Sequence, residues 1–114
     1  MIFEELDEFK KDFKRLLKKY KTLNEDFEII KKVLEAAPEE RPPVSYRISG
    51  LGIQSNIIKM KRIASKSMKG KGSNTGLRLI YAYEKSLERI VIIEFYHKNE
   101  KESEDSERIK NNFK

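Results

Sequence analysis

Apolar residues recur at helical spacing in the first third of the chain and in dense short runs in the last third, with a Gly- and Pro-rich stretch between them. Leu6, Phe9, Phe13, Leu16, Leu17 and Tyr20 lie three and four apart, and Lys10, Lys11, Lys14, Arg15, Lys18 and Lys19 fill the other faces. This spacing predicts an amphipathic helix. Acidic residues lead it and basic ones follow, which suits the helix dipole. A second helix is expected after Asn24, a good N-cap, with Glu25 and Asp26 in its first turn. Its apolar face is Phe27, Ile30, Val33, Leu34 and Ala37, and Pro38 closes it. The short connection predicts an antiparallel hairpin.

Residues 38–56 hold three prolines and two glycines and read as a loop with one short strand. Residues 57–63 suggest a strand, and the Lys-, Gly- and Ser-rich stretch 65–76 a loop. Residues 77–83 form a strand with Leu77, Leu79, Tyr81 and Tyr83 on one face, and residues 90–96 form another. Glu84 to Arg89 make the hairpin loop between them. In the tail, Ser103 is the expected N-cap of a short, fraying helix carrying Ile109 and Phe113. The expected fold class is therefore α+β: an N-terminal helical hairpin packed on a small antiparallel sheet of three to four strands, with a short C-terminal helix, as one domain over 1–114. The sheet face away from the hairpin can stay open.

Charge changes the picture, because it is unevenly spread. Residues 41–83 carry 9 basic and no acidic side chains, while 1–40 carry 9 basic and 11 acidic and 84–114 carry 7 basic and 8 acidic. The net charge of +6 thus resides in the middle third. Because that segment supplies most of the sheet, the open face is expected to be basic. Such a block attracts polyanions: ribosome, mRNA, DNA or an acidic protein. A solvated basic surface with no partner is the alternative. The chain has no Cys, and its longest apolar run, Ile90–Ile93, is too short to span a bilayer. With charge from Glu4 onward, no signal peptide is expected, and a cytoplasmic protein without membrane contact follows.

One His and no Cys leave only carboxylates as metal ligands, so no metal and no cofactor are expected. Gly70-Lys71-Gly72-Ser73 lacks the spacing of a phosphate-binding loop. What remains is a basic constellation: Lys59, Lys61, Arg62, Lys66, Lys69, Lys71 and Arg78. Lys59 and Lys61 share a strand face. Lys69 and Lys71 flank Gly70, where amides and ammonium groups can meet a phosphate. Arg78 interrupts an apolar strand, and its planar fork suits a phosphate gaining charge. The other reading of Arg78 is an ion pair with Glu94 on the neighbouring strand. His97 is either an ordinary edge residue or a general acid–base. Tyr96 either stacks on a base or packs in the core. Tyr46, Tyr81 and Tyr83 read as core or sheet surface.

Residues 66–83, KSMKGKGSNTGLRLIYAY, with 92–102, IIEFYHKNEKE, and the hairpin starting FKKDFKRL at Phe9, resemble toxins of the RelE/ParE superfamily over nearly the whole chain. The resemblance implies a toxin of a toxin–antitoxin pair, held by a cognate antitoxin protein, with the ribosome and mRNA as targets and DNA reached only through an antitoxin complex. Many members cut mRNA in the ribosomal A site without a metal; others inhibit DNA gyrase. The nuclease pattern Gly-x-Arg-x-x-Tyr matches Gly76, Arg78 and Tyr81, which implies that Arg78 contacts the scissile phosphate. Lys59, Lys61 and Arg62 match the basic residues of the preceding strand loosely. Where nuclease members carry a further Arg and later a Tyr, this chain has Asn99 and Asp105; some relatives use a His near this place, which His97 can supply. The implied catalytic set is Arg78, His97, Lys59 and Lys61, with Arg62, Lys66, Lys69, Lys71 and Tyr96 binding RNA.

Overall fold

Two runs in the last third of the chain are apolar at nearly every position, and this pattern belongs to strands covered on both faces. The computed structural model describes residues 1–114. In chain order the elements are β1 (Ile2–Glu5), α1 (Asp7–Lys19), α2 (Leu23–Ala36), β2 (Ser45–Arg47), β3 (Asn56–Met60), β4 (Leu77–Glu84), β5 (Arg89–His97) and α3 (Ser106–Asn112). They form one sheet in the order β1-β5-β4-β3-β2.

The α+β reading holds, with one difference in the sheet. It has five strands and is mixed, because β1 runs parallel to β5 from Ile2↔Arg89 to Glu5↔Ile92. A four-residue edge strand with mostly exposed side chains shows no periodicity in sequence. Helix boundaries shift slightly. The α2 cap is Thr22 rather than Asn24, and the α3 cap is Asp105 rather than Ser103, with its carboxylate accepting from the Arg108 amide at 3.1 Å.

The helical hairpin covers one face. Phe9 of α1 meets Phe27 of α2 at 5.3 Å between ring centroids and lies parallel to Phe95 of β5 at 6.4 Å. Leu16, Leu23, Ile30 and Leu34 extend this core over Ile58, Leu79, Tyr81 and Ile92. The second face was expected to be open and basic. It is instead half covered: Ile57, Ile80, Ala82, Val91, Ile93 and Tyr96 pack with Ile109 of α3, flanked by Ile48, Leu51, Ile53 and Phe113. The reason is the two-sided apolar character of β4 and β5, which an exposed face would leave in water.

A β-bulge sets what faces where. Tyr81 pairs with Ile92 but Ile80 with Glu94, so β5 has one residue more than β4 at this point. Ile90 and Ile92 face the hairpin, and after the bulge Phe95 does so, while Glu94 and Tyr96 turn to the second face.

Beyond Ile92, β5 has no strand neighbour on the β1 side. Its Phe95 amide donates to Asp12 of α1 at 3.1 Å, and the Ile93 carbonyl accepts from Arg108 of α3 at 2.9 Å. Asp12 and Arg108 also bond each other at 2.7 Å, both largely out of solvent. Burial lowers the Arg108 pKa, but the Asp12 hydrogen bond and charge outweigh it and leave it raised. Asp12→Ala would strand a buried guanidinium and an amide, so it should cost about 3–5 kcal/mol. Asp12→Asn, which keeps the acceptor, should cost less. Urea unfolding with an unchanged m-value measures both.

Candidate nucleic-acid interface

The register places the basic residues of the middle segment side by side. Tyr46 of β2 partners Lys59 of β3, and Lys59 partners Ile80 of β4. One step along, Arg78 of β4 partners Tyr96 of β5, and the Arg78 guanidinium donates to the Lys61 carbonyl at 3.2 Å. At this end of the second face, beyond the cover of α3, lies a cavity of about 230 Å³ lined by Pro43, Tyr46, Lys61, Arg62, Asn74, Gly76, Arg78 and Lys98. Four of the eight are cations and none is acidic. None of the four is paired with a carboxylate. The Arg62 guanidinium donates to Asn74 Oδ1 at 3.4 Å, which spans the mouth of the 64–73 loop.

The Arg78–Glu94 ion pair weighed from sequence is not formed. Glu94, 1% exposed, is bonded by Lys101 and accepts from the Asp105 amide at 2.8 Å. Lys101 is held there at some electrostatic cost, since burial lowers its pKa. The tail therefore neutralises the buried carboxylate and leaves Arg78 free for the cleft.

The other sequence-singled residues are dispersed. Lys59 sits on the second face with its ammonium 2.6 Å from Glu104, and both are mostly buried. Burial pushes the Glu104 carboxyl up, yet the Lys59 hydrogen bond, a backbone hydrogen bond and the charges of Lys59 and Lys61 outweigh it, so its pKa lies below the ordinary value. Lys66 pairs with Glu25 at 3.0 Å. Lys66 and Lys69 line a separate, largely apolar cavity of about 500 Å³ between α2 and the 64–73 loop, with Ile29, Val33, Val44 and Met68. Lys71 is exposed in that loop and lines neither cavity.

His97 partners Leu77, so it points to the hairpin side of the sheet while Arg78 points to the other. Its Nδ1 accepts from the Asn99 amide at 3.1 Å, and its Nε2 lies 2.8 Å from the Thr75 carbonyl. An accepting Nδ1 puts the proton on Nε2, which donates to Thr75. The ring stacks on Tyr20 at 6.1 Å and packs directly against Gly76, where a Cβ would meet Nε2 at 2.6 Å. Gly76 also has a φ of +86°, so both conformation and contact require glycine here. The three residues of the Gly-x-Arg-x-x-Tyr pattern thus have distinct physical roles. Gly76 makes room for His97, Arg78 enters the cleft, and the Tyr81 hydroxyl donates to the Pro38 carbonyl at 2.8 Å, tying down the loop that carries Pro43.

Tyr96 is buried beneath Lys101, whose ammonium is 4.9 Å from the ring centroid, and its hydroxyl has no hydrogen-bond partner in the protein. Burial and the Glu104 charge, opposed by Arg78, push its pKa up to about 12. Sequence reasoning missed Lys98, Asn74 and Tyr46. Their places depend on chain reversals after β5, in the 64–75 loop and at the sheet edge, and no local pattern marks them. No group of three or more His, Asp or Glu side chains that could hold a metal is formed. No protein-family model matches the chain, and no curated protein matches it in sequence.

Because Glu94 belongs to Lys101, Arg78→Ala should change stability by less than about 1 kcal/mol, whereas Lys101→Ala, which strands Glu94, should cost about 1–3 kcal/mol. Thermal unfolding of the two variants checks the ordering. Tyr81 and Tyr96 both have a pKa raised above the ordinary value of 10 by burial. A raised folded pKa stabilises the fold below the unfolded pKa and loses that contribution as pH climbs toward the folded one. Stability should therefore fall from about pH 10 upward. Tyrosinate absorbance should show a late phase that Tyr96→Phe and Tyr81→Phe each reduce.

Proposed function

We propose that this chain is the toxin of a toxin–antitoxin pair of the RelE/ParE kind, which grips mRNA in the ribosome through the Lys61–Arg62–Arg78–Lys98 cleft and cuts it through its own 2′-hydroxyl. The observation that carries the reading is an acid-free cleft of four unpaired cations in which an arginine fork is held by two backbone carbonyls, those of Lys61 and Leu77. Fixed cations of this kind hold a phosphodiester and stabilise the added charge of a phosphorane. In this reading Arg78 faces the scissile phosphate, with Lys61 beside it. Lys98 and Arg62 hold the flanking backbone, and Lys66, Lys69 and Lys71 extend the field toward the loop. Lys59 joins them when its pair with Glu104 opens. His97 sets the Gly76 turn that aims Arg78. The partners are a cognate antitoxin, the ribosome and mRNA, with DNA reached only through the antitoxin, and the reaction needs no metal or other cofactor. The setting is the cytoplasm; no helix is long and apolar enough to cross a membrane.

A second reading is a binding module of the same kind that does not cut, either a gyrase inhibitor or an inactive relative. It is favoured by the engagement of both His97 ring nitrogens away from the cleft. Incubation with ribosomes and a defined mRNA, with cuts mapped by primer extension, separates the two. On the nuclease reading the protein cuts, Arg78→Ala lowers the rate about 100- to 1,000-fold, and Arg78→Lys restores part. His97→Gln lowers it far less than Arg78→Ala. Cutting at the wild-type rate by Arg78→Ala would remove Arg78 from the site, and no cutting by the wild type would leave the binding module as the function.

A further inference from the structure

Tyr46 is an aromatic residue on the wall of a cation cleft, 40% exposed, on the three-residue edge strand β2. A large aromatic left that open is normally a contact surface or a chance. Its neighbours argue for a contact surface. The ring lies on the same sheet face as Arg78, two strands across and two residues along, which sets their backbone positions roughly 12 Å apart. Both side chains line the same cavity, where one nucleotide can set its phosphate at Arg78 and its base at Tyr46. The Lys61 ammonium rests over the ring at 5.3 Å and also lines the cleft, so one cation touches both the ring and the space open to a phosphate. The cleft itself is rich in charge; its two guanidinium groups are already engaged within the protein, and so is the oxygen of Asn74, its one amide side chain. A site of this composition recognises backbone and π-face rather than sequence.

We propose that Tyr46 is the stacking platform for one unpaired base of single-stranded RNA, next to the phosphate held by Lys61 and Arg78. The inference rests on the cleft binding an RNA backbone, not on cleavage. It makes Tyr46 a positioning residue: the base on Tyr46 sets which phosphate lies at Arg78, and Lys61 lies beside both.

The test is fluorescence anisotropy of the full chain with a short labelled oligoadenylate and with its abasic counterpart, at one fixed salt concentration. Tyr46→Ala should weaken oligoadenylate binding about 5- to 150-fold, the range set by one stacked base. Tyr46→Phe should bind as wild type. On the abasic oligomer Tyr46→Ala should change nothing, while Arg78→Ala should weaken both ligands. Undiminished oligoadenylate binding by Tyr46→Ala, alongside weakened binding by Arg78→Ala, overturns the platform and leaves the cleft standing. Equal loss in Tyr46→Phe and Tyr46→Ala also overturns it, since the hydroxyl would then be the contact. If Arg78→Ala and Lys61→Ala bind both oligomers as wild type, or the wild type binds neither, the cleft reading fails and the platform with it.

Discussion

The arrangement of this molecule turns on a strand that outruns its neighbour. β1 stops pairing at Ile92, and β5 continues to His97, so the Phe95 amide and the Ile93 carbonyl face an empty edge. Buried backbone groups without partners are costly, and the chain answers with one ion pair, Asp12 with Arg108. Because Asp12 is on α1 and Arg108 on α3, satisfying two backbone groups also clips the tail across the sheet edge. That clip works with the apolar surface of β4 and β5 to hold the tail on the second face. Ile109 is brought onto the apolar surface of β4 and β5, and the approach to α3 lays Lys101 on Glu94 and Glu104 on Lys59.

The same clip decides which cations stay free. The acid-free middle segment brings its positive charge to the sheet without local relief, and the acids that could relieve it lie in the tail. Those acids reach only the covered part of the face, where Glu104 takes Lys59. At the far end, Lys61, Arg62, Arg78 and Lys98 remain without an ion-pair partner around one cavity. Self-repulsion among four cations is tolerable there because Lys61, Arg62 and Lys98 are exposed and the guanidinium groups are anchored to carbonyl oxygens.

How much of this was legible in the sequence depends on the range of the interaction. The two helices and β4 and β5 follow from local patterning, and so does the shared face of Lys59 and Lys61, whereas the meeting of Lys61 and Arg62 with Arg78 depends on the β3–β4 register. β1 escaped notice because four edge residues carry no pattern. The covering of the second face was written in the continuous run Ile90–Ile93, but what covers it is a long-range matter. The fates of Lys59, Glu94 and His97 were not readable. Each depends on a partner far along the chain or on the sheet's parity, and the bulge at Ile93 reverses that parity for Glu94 and Tyr96. A single inserted residue moves Tyr96 from the hairpin face to the second face, which simple alternation from Ile90 does not anticipate.

The cleft is lined chiefly by positive charge. Its side chains are guanidinium, ammonium, amide and phenol, with one imidazole behind the Gly76 backbone and bonded at both nitrogens. The buried phenol nearest Arg78, Tyr96, stays protonated far above neutral pH. Groups of this kind lower the energy of a dianionic phosphorane far more readily than they remove a proton from a 2′-hydroxyl. A nuclease built on this cleft therefore draws its rate from holding the phosphate and placing the 2′-oxygen in line with it, which needs a rigid grip on the nucleotide at both phosphate and base. On the proposed reading, Arg78, anchored to two carbonyls, supplies the first grip. On the same reading the exposed ring of Tyr46, on the wall of that cavity, supplies the second.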